Sequence, residues 1–293
     1  MKPTAWLPAV NMTNSDLGNW VDNAVVQLKE RSESPSVEVH AIASHVLQKP
    51  REWIFAHPET ILNEPQLHAL DKALHRLMDG EPLAYITGMR SFYGLDFVVD
   101  KRVLVPRPET ELLVDLAIDW LKKNPDRKRV VDVGTGSGVI AVTLAHHFPD
   151  LIVSAIDTSA EALKVAQLNA ALHKVVDRIK FIQNDLLEGL NGQFDLVLAN
   201  LPYIPEFDVG QLPDLRHEPR AALDGGSDGL RIIEKLILES EKNMAQNSCM
   251  ILEIQYNQWE AVQDLALIRN PKAIISIHHD LAALPRVIRI QNL

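Results

Sequence analysis

The chain has 293 residues, near two domains at the usual domain size, and a hydrophobic content of 46% that is enough for a substantial core. Its formal charge of −10 disfavours nonspecific attraction to nucleic acid phosphates, so direct nucleic acid binding is not expected without a local basic patch. Cys249 is the only cysteine, which excludes an intramolecular disulfide and favours a reducing compartment; with no apolar run near membrane-spanning length, a soluble cytoplasmic protein is expected.

From residue 17 to 80 the periodicity is helical. Trp20, Val21, Ala24, Val25 and Leu28 mark one face of a first helix, and a second is expected over 37–47. The clearest runs over 65–79, with Leu67, Leu70, Leu74, Leu77 and Met78 as its stripe, Asn63 as cap, Pro65 in the first turn and Gly80 to close it. Residues 1–80 therefore read as a small helical domain. The next segment, 81–108, changes character: 90–93, 95–99 and 102–105 read as short strands broken at Gly94 and at Asp100-Lys101, so a β-hairpin linker is expected. Pro106 and Pro108 end it, and 109–122 has the pattern of a helix. Arg107, Glu109 and Glu111 are either helix-entry charges or residues that shape a site.

From 109 to 293 strand and helix alternate. Strands are expected at 129–133, 151–156, 179–182, 194–199, 250–254, 273–278 and 286–290, with helices at 160–172, 230–243 and 258–267. That alternation implies an α/β fold, a doubly wound, mostly parallel seven-stranded sheet that binds ligands at the carboxyl ends of its strands. The last two strands leave no room for a helix between them, so an antiparallel pair is expected there. The paired histidines His146-His147 and His278-His279 cannot both face one ion, and no metal-ligand spacing occurs.

Between the first of these strands and its helix lies Asp132-Val133-Gly134-Thr135-Gly136-Ser137-Gly138. Glycines at alternate positions allow a sharp turn and let a ligand lie on main-chain N–H groups, because no Cβ stands in the way. A dinucleotide fingerprint would need a small residue where Val139 stands, and a P-loop would need a lysine after the last glycine. The pattern D-x-G-x-G-x-G resembles motif I of Rossmann-like S-adenosylmethionine (SAM) methyltransferases. Other strand ends add polar residues at the same edge. Asp157 follows Gly134 by 23 residues, the interval at which an acid grips ribose hydroxyls in related folds. Asp185 is placed to meet an adenine amine, and Leu186 to pack on its ring.

Asn200-Leu201-Pro202-Tyr203 closes the fourth strand. An amide nitrogen is a poor nucleophile, since its lone pair is delocalised, so its methylation depends on holding and orienting it. The Asn200 oxygen and a nearby main-chain carbonyl can each accept one N–H of an NH₂ group and aim the nitrogen, which supplies proximity and electrostatic help without a strong base. Tyr203 offers a flat face, and Pro202 fixes a backbone angle.

The tetrapeptide resembles the (D/N/S)-P-P-(Y/F/W) motif of methyltransferases that act on planar NH₂ groups. With 82–88 (PLAYITG), 106–111 (PRPETE), 132–138 and 217–229 (HEP through ALDGG to DG), the chain from about residue 15 onward resembles the peptide chain release factor glutamine methyltransferases, the PrmC/HemK family. The resemblance implies a Rossmann-like class I SAM methyltransferase with a helical substrate-docking domain before it. It implies that Gly134 to Gly138, Asp157, Leu186 and Asn200 line the SAM site, and that Asn200 to Tyr203 hold the glutamine of the Gly-Gly-Gln loop in class 1 release factors. The products would be N5-methylglutamine and S-adenosylhomocysteine, made by a monomer. Leu201 departs from the family's second-position proline, yet it offers the same carbonyl and Pro202 biases it toward extended backbone, so Leu201→Pro should be tolerated. Adenine-N6 methylation of DNA, glutamine methylation of a ribosomal protein, and a non-catalytic SAM-binding module are the alternatives.

Overall fold

The computed structural model describes residues 16–190, 192–212 and 215–291. It divides into two compact units, one ending at Thr87 and the other spanning Gly88–Leu293.

The first unit is helical: α1 (Leu17–Leu28), α2 (Pro35–Leu47), α3 (Arg51–Ala56), α4 (Glu64–Met78) and α5 (Leu83–Thr87). Asn63 and Gln66 form a reciprocal capping box at the start of α4, and Gly80 takes the left-handed conformation (φ 82°) after it. Leu17, Trp20, Ala24 and Leu28 of α1 pack with Val39 and Ile42 of α2, Leu70 and Leu74 of α4 and Ile86 of α5 in one apolar core. The helices α3 and α5 have too few residues to show a periodicity of their own.

The division after Thr87 splits the segment 81–108 that reads as a linker: 83–87 is helical in the first unit, and the hairpin belongs to the second. Strands β1 (Met89–Phe92) and β2 (Leu95–Val98) pair antiparallel around Tyr93-Gly94, both at positive φ. The third short strand expected at 102–105 is absent. Asp100 accepts hydrogen bonds from the Arg102 backbone N and Nε, at 3.0 and 2.8 Å, which folds the segment into a turn.

The remaining elements are α6 (Thr110–Lys123), β3 (Arg129–Val133), α7 (Val139–His147), β4 (Ile152–Asp157), α8 (Ala160–Leu172), β5 (Ile179–Gln183), β6 (Phe194–Ala199), α9 (Glu206–Val209), α10 (Arg231–Asn243), β7 (Met244–Glu253), α11 (Trp259–Arg269), β8 (Ile274–His279) and β9 (Pro285–Gln291). The sheet order is β5-β4-β3-β6-β7-β9-β8. Strand β9 inserts between β7 and β8 and runs antiparallel to both, so the expected last pair is antiparallel and its second strand also pairs with β7. Strand β7 begins at Met244, six residues before the strand expected at 250–254, with a register shift against β6 and Asn247 at φ 61°.

Alternation along the central strands divides the core. Val130, Leu196, Leu198 and Ile251 face α6, α7 and α8, while Val131, Val133, Val197, Met250 and Leu252 face the other side with Ile233 and Ile237 of α10. Strand order reverses between β3 and β6, and at such a switch point the carboxyl ends open a crevice. Register then decides the neighbours: Val133 pairs with Ile156 and with Ala199, and Ala199 pairs with Leu252. Asp157, Gly134, Asn200 and Glu253 consequently emerge side by side at one edge.

Candidate active site

A cavity of about 530 Å³ opens at that edge, in the range of small-molecule sites. It is lined by Gly134 to Ser137, Asp157, Asp185, Leu186, Asn200, Leu201 and Pro202 among the expected residues, and also by Arg107 and Thr110. Asp132, Gly138 and Tyr203 do not line it.

Asp132 lies beneath the glycine loop, 1% exposed. Its Oδ2 accepts the Thr135 hydroxyl at 2.6 Å and the Ala141 N–H at 3.2 Å, so one carboxylate holds the loop and the first turn of α7. Burial pushes its pKa up to about 7. Gly138 begins α7 at φ 82°, and a Cβ there would stand 3.0 Å from the Cβ of Ala166 on α8. Both residues shape the turn rather than face its contents. Gly136 is different: a Cβ built on it would meet only the Gly134 carbonyl oxygen, at 4.0 Å, so its backbone is open to a ligand.

Asp157 closes β4. Its Oδ2 accepts the Gly136 N–H and its Oδ1 the Ser159 N–H, both at 2.9 Å, which ties the glycine loop to the second strand end. A carboxylate keeps further lone pairs for hydroxyl donors. Asp185 stands at the rim and pairs with Lys235 on α10 at 2.5 Å. Leu186 is buried and held at φ 51°, with its carbonyl accepting from Asn184 Nδ2 at 3.2 Å. The cavity volume, the open Gly136 backbone and the acceptors of Asp157 fit a nucleoside-bearing cofactor such as SAM.

The Asn200 loop is held from several sides. Leu201 is buried, with Cδ2 2.9 Å from where a Gly134 Cβ would be, so glycine at 134 makes room for it. Gly225 N–H donates to the Ile204 carbonyl at 2.8 Å, and Gln258 Nε2 donates to the Tyr203 carbonyl at 3.0 Å. A Cβ at Gly225 would lie 2.7 Å from the Pro202 oxygen, and one at Gly229 would collide with the Tyr203 oxygen. The glycines of 217–229 thus let that segment pack directly on the loop. Arg107 on the cavity wall pairs with the buried Glu218, which also accepts the Val105 N–H at 2.9 Å, while Glu111 accepts the Tyr93 N–H of the hairpin at 2.8 Å. Arg107 and Glu111 are therefore more than helix-entry charges.

Two residues that sequence analysis did not single out complete the site. Asn200 Nδ2 donates to Thr110 Oγ1 at 2.9 Å, and Thr110 Oγ1 donates to Glu253 Oε2 at 2.7 Å. Glu253 is 1% exposed, burial pushes its pKa up to about 7, and its other oxygen accepts the Tyr203 hydroxyl at 3.4 Å. Desolvation raises the Tyr203 pKa further, so that hydroxyl stays a donor. The one signal for Glu253 was a lone acid inside an apolar strand; Thr110 had only its place in the PRPETE stretch.

Comparison with known proteins follows the same division. Residues 19–88 match the family model "PrmC N-terminal domain", and residues 110–213 match "Methyltransferase small domain". The release factor glutamine methyltransferase of Coxiella burnetii is 36% identical over 90% of this chain and 95% of its own. A bifunctional methyltransferase of Rickettsia bellii is 33% identical over 88% of this chain, which spans about half (51%) of that relative's length. The solved catalytic domain of hMettl16, in complex with an MAT2A 3′UTR hairpin, shares the fold at a TM-score of 0.58 and 15% identity, covering 73% of this chain and 82% of that one.

Proposed function

The chain belongs to the release factor glutamine methyltransferase family, and from that membership we propose that its substrate is the glutamine of the Gly-Gly-Gln loop in class 1 peptide chain release factors, methylated at N5. Members of this family are SAM-dependent protein-glutamine methyltransferases. The observation that carries the proposal is that Asn200 shares a cavity wall with the glycine loop and Asp157. An acceptor for an amide NH₂ therefore stands beside a nucleoside site.

When bound, SAM would supply an electrophilic sulfonium methyl, with the neutral thioether S-adenosylhomocysteine as the leaving group. Asp157 would receive the ribose hydroxyls, the Gly134 to Ser137 backbone would hold the cofactor, and Asp185 and Leu186 would flank the adenine. Asn200 Oδ1 and a main-chain carbonyl of the Leu201-Pro202 segment each accept one N–H of the substrate amide. Held by both hydrogens, the nitrogen would be aimed at the methyl that SAM supplies rather than deprotonated beforehand, and the one proton it must lose after transfer would pass to solvent water. Positioning of this kind replaces the strong base that an amide would otherwise need. Tyr203, whose hydroxyl is taken by Glu253, fixes the far end of the loop rather than lining the cofactor cavity.

The helical unit that ends at Thr87 docks the release factor, and the unit that begins at Gly88, hairpin included, carries the chemistry. The enzyme acts as a cytoplasmic monomer without direct contact to nucleic acid, in keeping with the charge of −10. No helix among the described residues is long and apolar enough to cross a membrane. The test is incubation with methyl-labelled SAM and either a class 1 release factor or duplex DNA. Label on the release factor glutamine is expected; label on DNA, or on neither, overturns the assignment.

A further inference from the structure

Glu253 is buried without an ion-pair partner among the described residues, on a strand end where methyl transfer to an oriented amide needs no acid. Among the described residues its carboxylate bonds to the site through Thr110 and Tyr203. Because a threonine hydroxyl has one proton, its direction of donation decides what its neighbour must do. An ionised Glu253 has no proton to give, so Thr110 must donate to it, and Thr110 Oγ1 then accepts only from a donor. Asn200 meets that demand with Nδ2, at 2.9 Å. Its Oδ1 makes no hydrogen bond among the described residues and is left for the cavity that Asn200 lines.

We propose that Glu253 and Thr110 form a relay that fixes the polarity of the Asn200 amide, so that Asn200 presents an acceptor, never a donor, to the substrate NH₂. The relay deepens the glutamine-methylation proposal and rests on it. Both are positioning residues, since neither is assigned contact with the substrate amide. Protonation of Glu253 reverses the chain. The acid donates to Thr110 Oγ1, Thr110 turns its proton toward Asn200, and the amide flips to accept it with Oδ1. Asn200 Nδ2 then faces a substrate that also offers N–H, and the nitrogen loses its aim.

The charged groups around Glu253 bear on when this happens. Arg286 on β9 favours the carboxylate but is itself paired with Asp280 at 3.2 Å; Glu109, just before α6, disfavours it; Thr110 and Tyr203 stabilise it by hydrogen bonds. Burial outweighs them and leaves a titration at about 7, within reach of ordinary assay conditions.

The experiment measures kcat and KM on a class 1 release factor across pH 5.5 to 8.5 for wild type, Thr110→Val, Thr110→Ser and Glu253→Gln, with SAM binding and thermal melts for each. Wild-type kcat should fall about tenfold per pH unit well below the Glu253 pKa. Glu253→Gln, whose amide oxygen can still accept from Thr110 but does not titrate there, should lose that acid limb. Thr110→Val is nearly isosteric and should lose roughly ten- to a hundredfold in kcat with less change in KM, the usual effect of an outer support, and Thr110→Ser should restore most of it. An acid limb that persists unchanged in Glu253→Gln, or a Thr110→Val enzyme as fast as wild type, overturns the relay alone. If Thr110→Val does not fold, the Glu253→Gln profile decides. A wild type that leaves the release factor unlabelled overturns the substrate assignment and the relay with it.

Discussion

Asp157 and Asn200 are already half committed in the protein itself, and what each has left defines its task. Asp157 spends two acceptor positions on the Gly136 and Ser159 N–H groups. Removing it loosens the loop and, on the proposed function, takes away the ribose acceptor, so Asp157→Ala should weaken SAM binding by roughly 1.5 to 3 kcal/mol for charge-assisted bonds. Calorimetric titration measures this, and unchanged affinity would remove Asp157 from the site. Asn200 is different, because in the proposed mechanism its oxygen acts on the nucleophile in the transition state. Asn200→Ala should lower kcat on the order of a hundredfold while KM for the release factor moves much less. Steady-state kinetics with near-normal kcat would refute the assignment.

At the level of elements, the hairpin β1-β2 is fastened by Asn169, a fully buried residue of α8. Its Oδ1 accepts the Val98 N–H at 2.7 Å, and its Nδ2 donates to the Val98 and Ser137 carbonyls at 2.9 and 2.8 Å. One side chain thus joins hairpin, helix and glycine loop. Asn169→Leu would remove the partner of one buried backbone group, the Ser137 carbonyl, and of two partly buried ones on Val98, and a loss of about 3 kcal/mol is expected at 1 to 3 kcal/mol per group with partial relaxation. Denaturant unfolding tests it; a loss under 1 kcal/mol would mean that water replaces the amide. Leu201 alters an expectation drawn from sequence. Because its side chain is buried against Gly134 and the Val133 side of the core, Leu201→Pro removes packing as well as backbone freedom. The variant should still methylate, but its melting temperature should fall, corresponding to about 1 to 2 kcal/mol of stability, so it is tolerated in activity and not in stability.

At the scale of the methyltransferase unit, two buried carboxylates, Asp132 and Glu253, act on the pH response in the same direction. Asp132 and Glu253 are raised by burial from 3.8 and 4.5 to about 7, so the folded state holds their protons more tightly than the unfolded chain. Stability from these groups is greatest below their unfolded values and declines as pH rises from about 4 toward about 7, after which it is level. Asp100 and Asp280 work the other way. Their lowered pKa values, set chiefly by a bond from Arg102 and from the Leu284 N–H respectively, contribute stability that is lost only below the ordinary carboxylate range. Between pH 5 and 7 the buried pair therefore dominates these four. Asp132→Asn should flatten the decline in melting temperature across that interval, and a parallel curve would show that Asp132 does not titrate there.

The sequence by itself determined the strand-glycine-helix unit at 129–145, the alternation behind it, and Asp157, Asp185 and Asn200 at strand ends, because each rests on local periodicity or on turn chemistry within a few residues. It also carried the antiparallel last pair, since the chain between 279 and 285 is too short to cross over. Only the tertiary structure decided that Thr110 meets Asn200 and Glu253 across separations of 90 and 143 residues, that Asp132 lies beneath the loop instead of in the cavity wall, and that β9 enters between β7 and β8. Those facts depend on sheet order and register, which bring distant strand ends together, and a lone threonine or glutamate carries no local pattern from which its partner could be read.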